Sequence, residues 1–227
     1  MQFHYIKVWD GWVRMNHWLI LVLMVVSFGT AKAHRMDWHM LSGYAILTLL
    51  IFRVLWGLVG SDTARFARFV ASPVAALRQL TKIGSREPDR EVTHNAAGGW
   101  MVLLLLALLL VQATTGLFTY DQVFTRGPLS RRVSEEWVDF ASAIHVKNFY
   151  WLLGAIALHV VAVGVYFVAK HHDLLGPMIH GVKKLPADVP APRMASPALG
   201  LALLGLSAAL VWGITRLRIG LDRKSVV

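Results

Sequence analysis

The sequence predicts an all-α membrane protein, a four-helix transmembrane bundle followed by a fifth, C-terminal transmembrane helix. Three observations lead there. The 227 residues are 56% hydrophobic and only 16% charged, with a mean hydropathy of +0.53, too apolar for an ordinary soluble domain. Five apolar segments of membrane-spanning length are separated by polar stretches that hold most of the Lys and Arg. There is no cysteine, while there are ten histidines, which excludes disulfides, Cys-ligated iron-sulfur clusters, zinc ribbons and covalently attached haem. The net charge of +10 would suggest nucleic acid in a soluble protein. Here the positive-inside rule and contact with anionic membrane lipid account for it, and no nucleic-acid partner is expected.

The first segment runs from about Met15 to Ala31, between Arg14 and Lys32. It imitates a secretory signal, since Ala31-Lys32-Ala33 resembles a small-x-small cleavage site. It is read as a retained helix because His17 and Trp18 extend it. A short turn then requires the second segment, about Trp38 to Val59, to run antiparallel to the first. This one opens with His39 and carries Arg53, whose place inside a span calls either for snorkelling beside Trp56 or for an anionic cofactor group.

The connection from Gly60 to Ala97 carries Arg65, Arg68, Arg78, Lys82, Arg86 and Arg90. Within it Phe66, Phe69, Val70, Val74 and Leu77 recur at helical spacing, interrupted by Pro73, as in a helix lying in the interface plane. The third segment, Ala96 to about Phe118, has small or hydroxylic ends at Gly98, Gly99, Thr114, Thr115 and Gly116. Those permit close helix packing or leave room for a flat macrocycle. A mixed-charge loop from Tyr120 to Phe140 precedes the fourth segment, Asn148 to Ala169, which carries His159 and begins near His145. The stretch from His171 to Pro197 places His171 and His172 in a solvated loop and then becomes a proline-rich linker. The fifth segment, Ala198 to Thr215, is rich in small residues and lacks histidine. The expected division is residues 1–185 as the bundle and 186–227 as linker and tail helix.

Histidine spacing carries the functional expectation. Positions 39 and 53, like 145 and 159, are fourteen residues apart, a rise of about 21 Å that returns to within about 40° of the same helix face. With alternating helix directions, His17 and His159 fall at one depth, and His39 and His145 at the other. Each pair draws one imidazole from each of two helices, as bis-histidine ligation of haem within a bundle requires. No Asp or Glu interrupts the five apolar cores, which argues against a zinc pathway. Six-coordinate irons would leave no open position for oxygen chemistry, so electron transfer is the expected task.

Several motifs then suggest a family. They are Val8-Trp9-Asp10, Arg14-x-x-His17-Trp18, His39-x-x-x-Gly43-Tyr44, Phe52-Arg53-x-x-Trp56-Gly57-x-x-Gly60-Ser61 and Ala64-Arg65-Phe66. His94-Asn95 with Gly98, the His145 and His159 pair, and Met178-Ile179-x-Gly181-x-Lys183 complete the set. Over residues 8 to 184 the chain resembles the bacterial cytochrome b561 and nickel-iron hydrogenase b-subunit superfamily of di-haem membrane cytochromes. The resemblance implies a four-helix bundle holding two b haems, with the histidine pairing already reached from depth; with the N-terminus in the cytoplasm, His17 and His159 fall on the cytoplasmic side and His39 and His145 opposite. It also implies electron exchange between quinone or quinol and a redox partner, and matches Arg14 and Arg53 to basic positions that would pair haem propionates.

Two departures accompany the match: Thr93-His94-Asn95-Ala96-Ala97-Gly98 replaces the usual Gly-His-Asn-Pro-Leu-Gly, leaving His94 without an assigned role, and the fifth helix is extra. Lys147 and Tyr44 are placed near the outer haem or at the interface.

The partner is expected to be a c-type cytochrome, a hydrogenase-like subunit or a small diffusible oxidant or reductant. A self-sufficient superoxide:quinone type of oxidoreductase and a haem-free transporter or anchor subunit are the competing expectations. The expected location is the bacterial inner membrane with the N-terminus in the cytoplasm. The basic second-to-third connection then lies inside, although Arg216, Arg218, Arg223 and Lys224 fall outside.

Overall fold

The computed structural model describes residues 2–81, 89–122 and 125–216. Lys82, Arg86, Arg218, Arg223 and Lys224 of the basic stretches noted above lie outside these residues. The chain begins with strand β1 (Phe3–Lys7) and continues through α1 (Gly11–Lys32), α2 (Met36–Val59), α3 (Phe66–Phe69), α4 (Pro73–Thr81) and α5 (Ala96–Gly116). It goes on through α6 (Glu135–Lys170), α7 (Leu175–His180), strand β2 (Val182–Pro186) and α8 (Pro197–Arg216). The five long helices α1, α2, α5, α6 and α8 are each long and apolar enough to cross a membrane, so the chain is an all-α membrane bundle with an added C-terminal helix.

Two compact units divide the chain. One comprises Met1–His17, Arg53–Leu105 and Gly154–Gly200, the other Trp18–Phe52, Leu106–Leu153 and Leu201–Val227. Each long helix thus contributes one part to each unit, with successive helices passing between them in alternate order.

In the first unit, Asp10 starts α1. Its Oδ1 accepts from the Val13 backbone N–H at 2.8 Å, capping the helix, and its Oδ2 accepts from Trp56 Nε1 at 3.0 Å. Both residues are buried, Trp56 completely, so one carboxylate ties the start of α1 to the end of α2. Pro73 restarts the helix after α3, taking the first position of α4, where a proline costs no hydrogen bond. Val70, Val74, Leu77 and Leu80 are exposed there, the outward apolar face of an interfacial helix.

Two features differ from expectation. First, β1 and β2 pair antiparallel, with Phe3 opposite Pro186 and Lys7 opposite Val182. Five-residue strands 175 positions apart carry no local signal. Gly181, at φ +88°, ends α7 in the left-handed region, and its carbonyl accepts from the N–H groups of Val8 and Trp9 at 2.8 and 3.1 Å. The Lys183 ammonium is 2.6 Å from Asp89, securing β2 to the segment before α5. The proline-rich stretch beyond β2 is also held: Arg193 O accepts from Asp62 N at 3.0 Å, and Ser61 Oγ accepts from Ala195 N at 3.0 Å.

Second, α6 begins at Glu135, inside the expected loop, and runs for 36 residues. Ser134 Oγ accepts from Trp137 N at 3.3 Å, and Glu135 and Glu136 complement the positive helix start. At about 54 Å the helix outlasts a hydrocarbon core of about 30 Å, and its extra turns expose Trp137 and Phe140. His145 therefore lies well inside a helix instead of at its start.

In the second unit Leu47, Leu117 and Val211 form a buried cluster joined by Tyr44, Ile51, Ala113, Phe118, Leu129 and Ile214. The fifth long helix thus packs into the core.

Candidate functional site

The second unit contains His39 on α2 and His145 on α6. Their ring centroids are 6.2 Å apart with planes at 90°. His39 Nδ1 lies 2.9 Å from Ser27 O and 3.1 Å from Ser27 Oγ. His145 Nδ1 lies 2.9 Å from Gln112 O and 3.3 Å from Thr115 Oγ1. A carbonyl can only accept, so both rings carry their proton on Nδ1 and leave Nε2 with its lone pair for a metal. Two metal–nitrogen bonds of about 2 Å, with about 1.1 Å from each nitrogen to its ring centre, would set the centroids about 6 Å apart. The observed separation fits one six-coordinate iron between the rings.

Space fits as well. Gly116 lies against the His145 ring, where a Cβ would come within 3.0 Å of Cε1. At Gly43, one turn beyond His39, an added Cβ would meet nothing within 4 Å. Asn148 Nδ2 donates to Leu108 O at 2.9 Å and to Gln112 Oε1 at 2.8 Å, fixing α6 against α5 beside the histidine. Tyr44 packs on the apolar cluster, and Lys147 is exposed.

The first unit contains His17, His159, Arg14 and Arg53. His17 lies within electrostatic reach of His159. Arg53 is only 7% exposed. Its guanidinium donates to Ala64 O at 3.3 Å, lies 5.1 Å from the centre of the Phe66 ring and is within electrostatic reach of Asp10. Arg14 Nη1 donates to Ile179 O at 2.6 Å, while its buried Nε has no hydrogen-bond partner. A half-buried guanidinium whose buried Nε is an unused donor, in the same unit as the buried Arg53, fits a carboxylate-bearing group such as a haem propionate.

His94 acquires a position that sequence reasoning missed. Its ring lies between Trp9, at 4.9 Å, and Phe69, at 4.8 Å, and its buried Nδ1 has no hydrogen-bond partner. Burial, reinforced by Arg53, His159, His17 and Lys183, pushes its imidazole down to about 3, so it is neutral at physiological pH. Asn95 beside it caps α5 through Gly98 N at 2.8 Å and donates to Tyr166 OH at 2.8 Å. Gly99 allows α5 to approach the Phe69 carbonyl, which an added Cβ would meet at 2.7 Å. The Gly98 and Gly99 end therefore serves close packing, while Gly116 adjoins a histidine.

His172 differs from expectation: it is half-buried, with Nδ1 3.8 Å from Asp89 Oδ2, whereas His171 is exposed. Asp10, Gln112, Thr115 and Asn148 were also missed as supports, although polar side chains inside apolar segments are a readable signal. Among the described residues, no three His, Asp or Glu side chains converge on one point.

No curated protein matches the chain. The profile of the family described as prokaryotic cytochrome b561 matches residues 8–181, and the chain belongs to that family. Membership implies b-type haem and transmembrane electron transfer.

Proposed function

Given that membership, we propose that the protein carries electrons across the bacterial inner membrane through two bis-histidine b haems. His17 and His159 hold one on the cytoplasmic side, and His39 and His145 hold the other on the opposite side. The electrons pass between the quinone/quinol pool and a redox partner, a c-type cytochrome, a hydrogenase-like subunit or a small diffusible molecule. Bound haem iron supplies reversible one-electron chemistry with no open coordination position for substrate.

The chain's own groups do the rest. Ser27 and Gln112 carbonyls hold the proton of the His39 and His145 imidazoles on Nδ1, which leaves each Nε2 lone pair for the iron. Arg14 and Arg53 neutralise the propionates at the other pair. Asp10 fixes the α1 end that carries Arg14 and His17. The lipid-facing helices exclude water from both pairs. Residues 1–185 are the electron-carrying core and 186–227 an appended segment.

The observation that carries this proposal is the His39–His145 geometry, with both Nδ1 atoms engaged and the rings spaced for one iron. A pyridine haemochrome assay with a dithionite-reduced spectrum on the purified protein tests it. Close to two b haems per chain with a low-spin spectrum is expected. Haem-free protein from cells with ample haem would overturn it.

A further inference from the structure

A recess of about 220 Å³ is lined by Gly60, Asp62, Arg65, Arg68, Arg193 and Ala195, together with Met194. We propose that it binds the phosphate of an anionic phospholipid headgroup and that this lipid fastens the fifth helix to the family core.

Charge is the first reason. Three arginines and one carboxylate line the recess, and Asp62 meets Arg65 at 3.7 Å and Arg68 at 3.9 Å, both long for ion pairs. Asp62 is also occupied by the backbone, accepting from Arg193 N at 3.2 Å. The recess therefore keeps an excess of positive charge in a place with room for a phosphate group, since on the same measure a water needs only about 10–15 Å³. Arginine forks match phosphate oxygens in planar, bidentate fashion. Arg65 is held for this by its Nε, which donates to Gly60 O at 2.8 Å.

Depth is the second reason. The recess lies where α2 ends at Val59 and α8 begins at Pro197, two membrane-spanning helices, so it sits at headgroup level. Leu58 and Val59, the last two residues of α2, and Leu199, in the first turn of α8, are exposed, and offer an apolar seat for acyl chains at these two helix ends. A free phosphate would make no use of them.

Chain position is the third. Gly60 to Arg68 belong to the matched region 8–181, and Arg193 to Ala195 do not. The site exists only where the appended segment returns to the core, with the Asp62–Arg193 backbone bond closing the two sides.

The test uses the full-length protein, delipidated in neutral detergent. Its thermal unfolding is followed by tryptophan fluorescence while phosphatidylglycerol, phosphatidylcholine or inorganic phosphate is added. Phosphatidylglycerol should raise the midpoint in a saturable way and phosphatidylcholine should not. Inorganic phosphate should need a much higher concentration. Equal potency for phosphate would overturn the lipid source and leave a small-anion site. Arg68→Gln with Arg193→Gln should weaken the phosphatidylglycerol response about tenfold. Arg193→Gln alone, at an exposed side chain, should weaken it in the same direction and guards against misfolding of the double variant. Equal responses to the two lipids, or an Arg193→Gln protein with the wild-type response, would overturn the proposal.

Discussion

In the second unit, His39 and His145 are held by uncharged groups, the Ser27 and Gln112 carbonyls and two hydroxyls. In the first, His17 and His159 share their unit with Arg14, Arg53, Asp10 and a neutral His94. The sequence pattern that presents both pairs is the same, one imidazole from each of two antiparallel helices, yet the surroundings differ in kind. Helical periodicity decides which side chains can meet. The polar residues nearby decide what charge the pair tolerates. On the proposed reading, one pair is served by groups that orient its rings, and the other lies in a unit whose arginines hold negative groups.

The largest test of this contrast removes one imidazole at a time. His17→Ala and His159→Ala should each cost the same haem, and His39→Ala and His145→Ala the other, so that haem per chain falls from about two to about one. Separate losses for His17 and His159 would break the pairing. Next in size is Asp10→Ala, which strips α1 of its cap and Trp56 of its acceptor, and leaves the buried Arg53 without its nearest carboxylate. A destabilisation of about 3 kcal/mol is expected, read as a lower melting midpoint in detergent. Should the midpoint stay put, the charged unit does not depend on that carboxylate.

A smaller effect is expected from Thr115→Val, which removes one of the two acceptors around His145 Nδ1 and leaves the carbonyl. It should weaken haem retention about tenfold at the His39/His145 pair alone, measured by transfer to apomyoglobin. The last is confined to acid and absent at neutral pH. With its folded value near 3 against 6.5 unfolded, His94 binds a proton in the unfolded chain but not in the folded one between those values. Stability therefore falls as pH drops through that window and is unaffected above it. A His94→Gln protein should show a shallower acid loss in pH-dependent melts.

How much of this was legible in the sequence follows from the range of each interaction. The five spans and the four histidines rest on local periodicity, which a single chain displays. His94 gave no hint of its place between Trp9 and Phe69, because those rings come from residues 85 and 25 positions away. Asp10 was visible as part of a motif but not as the link to Trp56. The β1–β2 pair was invisible, since neither Phe-His-Tyr-Ile-Lys nor Val-Lys-Lys-Leu-Pro alternates cleanly and the partner is non-local. The start of α6 was misplaced because Glu135 and Glu136 read as loop charge, although acidic residues after a serine are also a helix-start signal.

Pairing of β1 with β2 has a consequence for biosynthesis. The two strands can join only if both emerge on the same side of the membrane, which requires an even number of crossings between them, and four lie there. At a synthesis rate of about 5–20 residues per second, the N-terminal strand waits roughly 10 to 35 seconds for its partner to leave the ribosome. During that interval Ile6 and Val8, buried in the finished protein, have no cover from residues 177 to 186. The first helix is in place long before Gly181 can accept from Val8 and Trp9 at its start, so closure of that end is among the last steps as the chain is made.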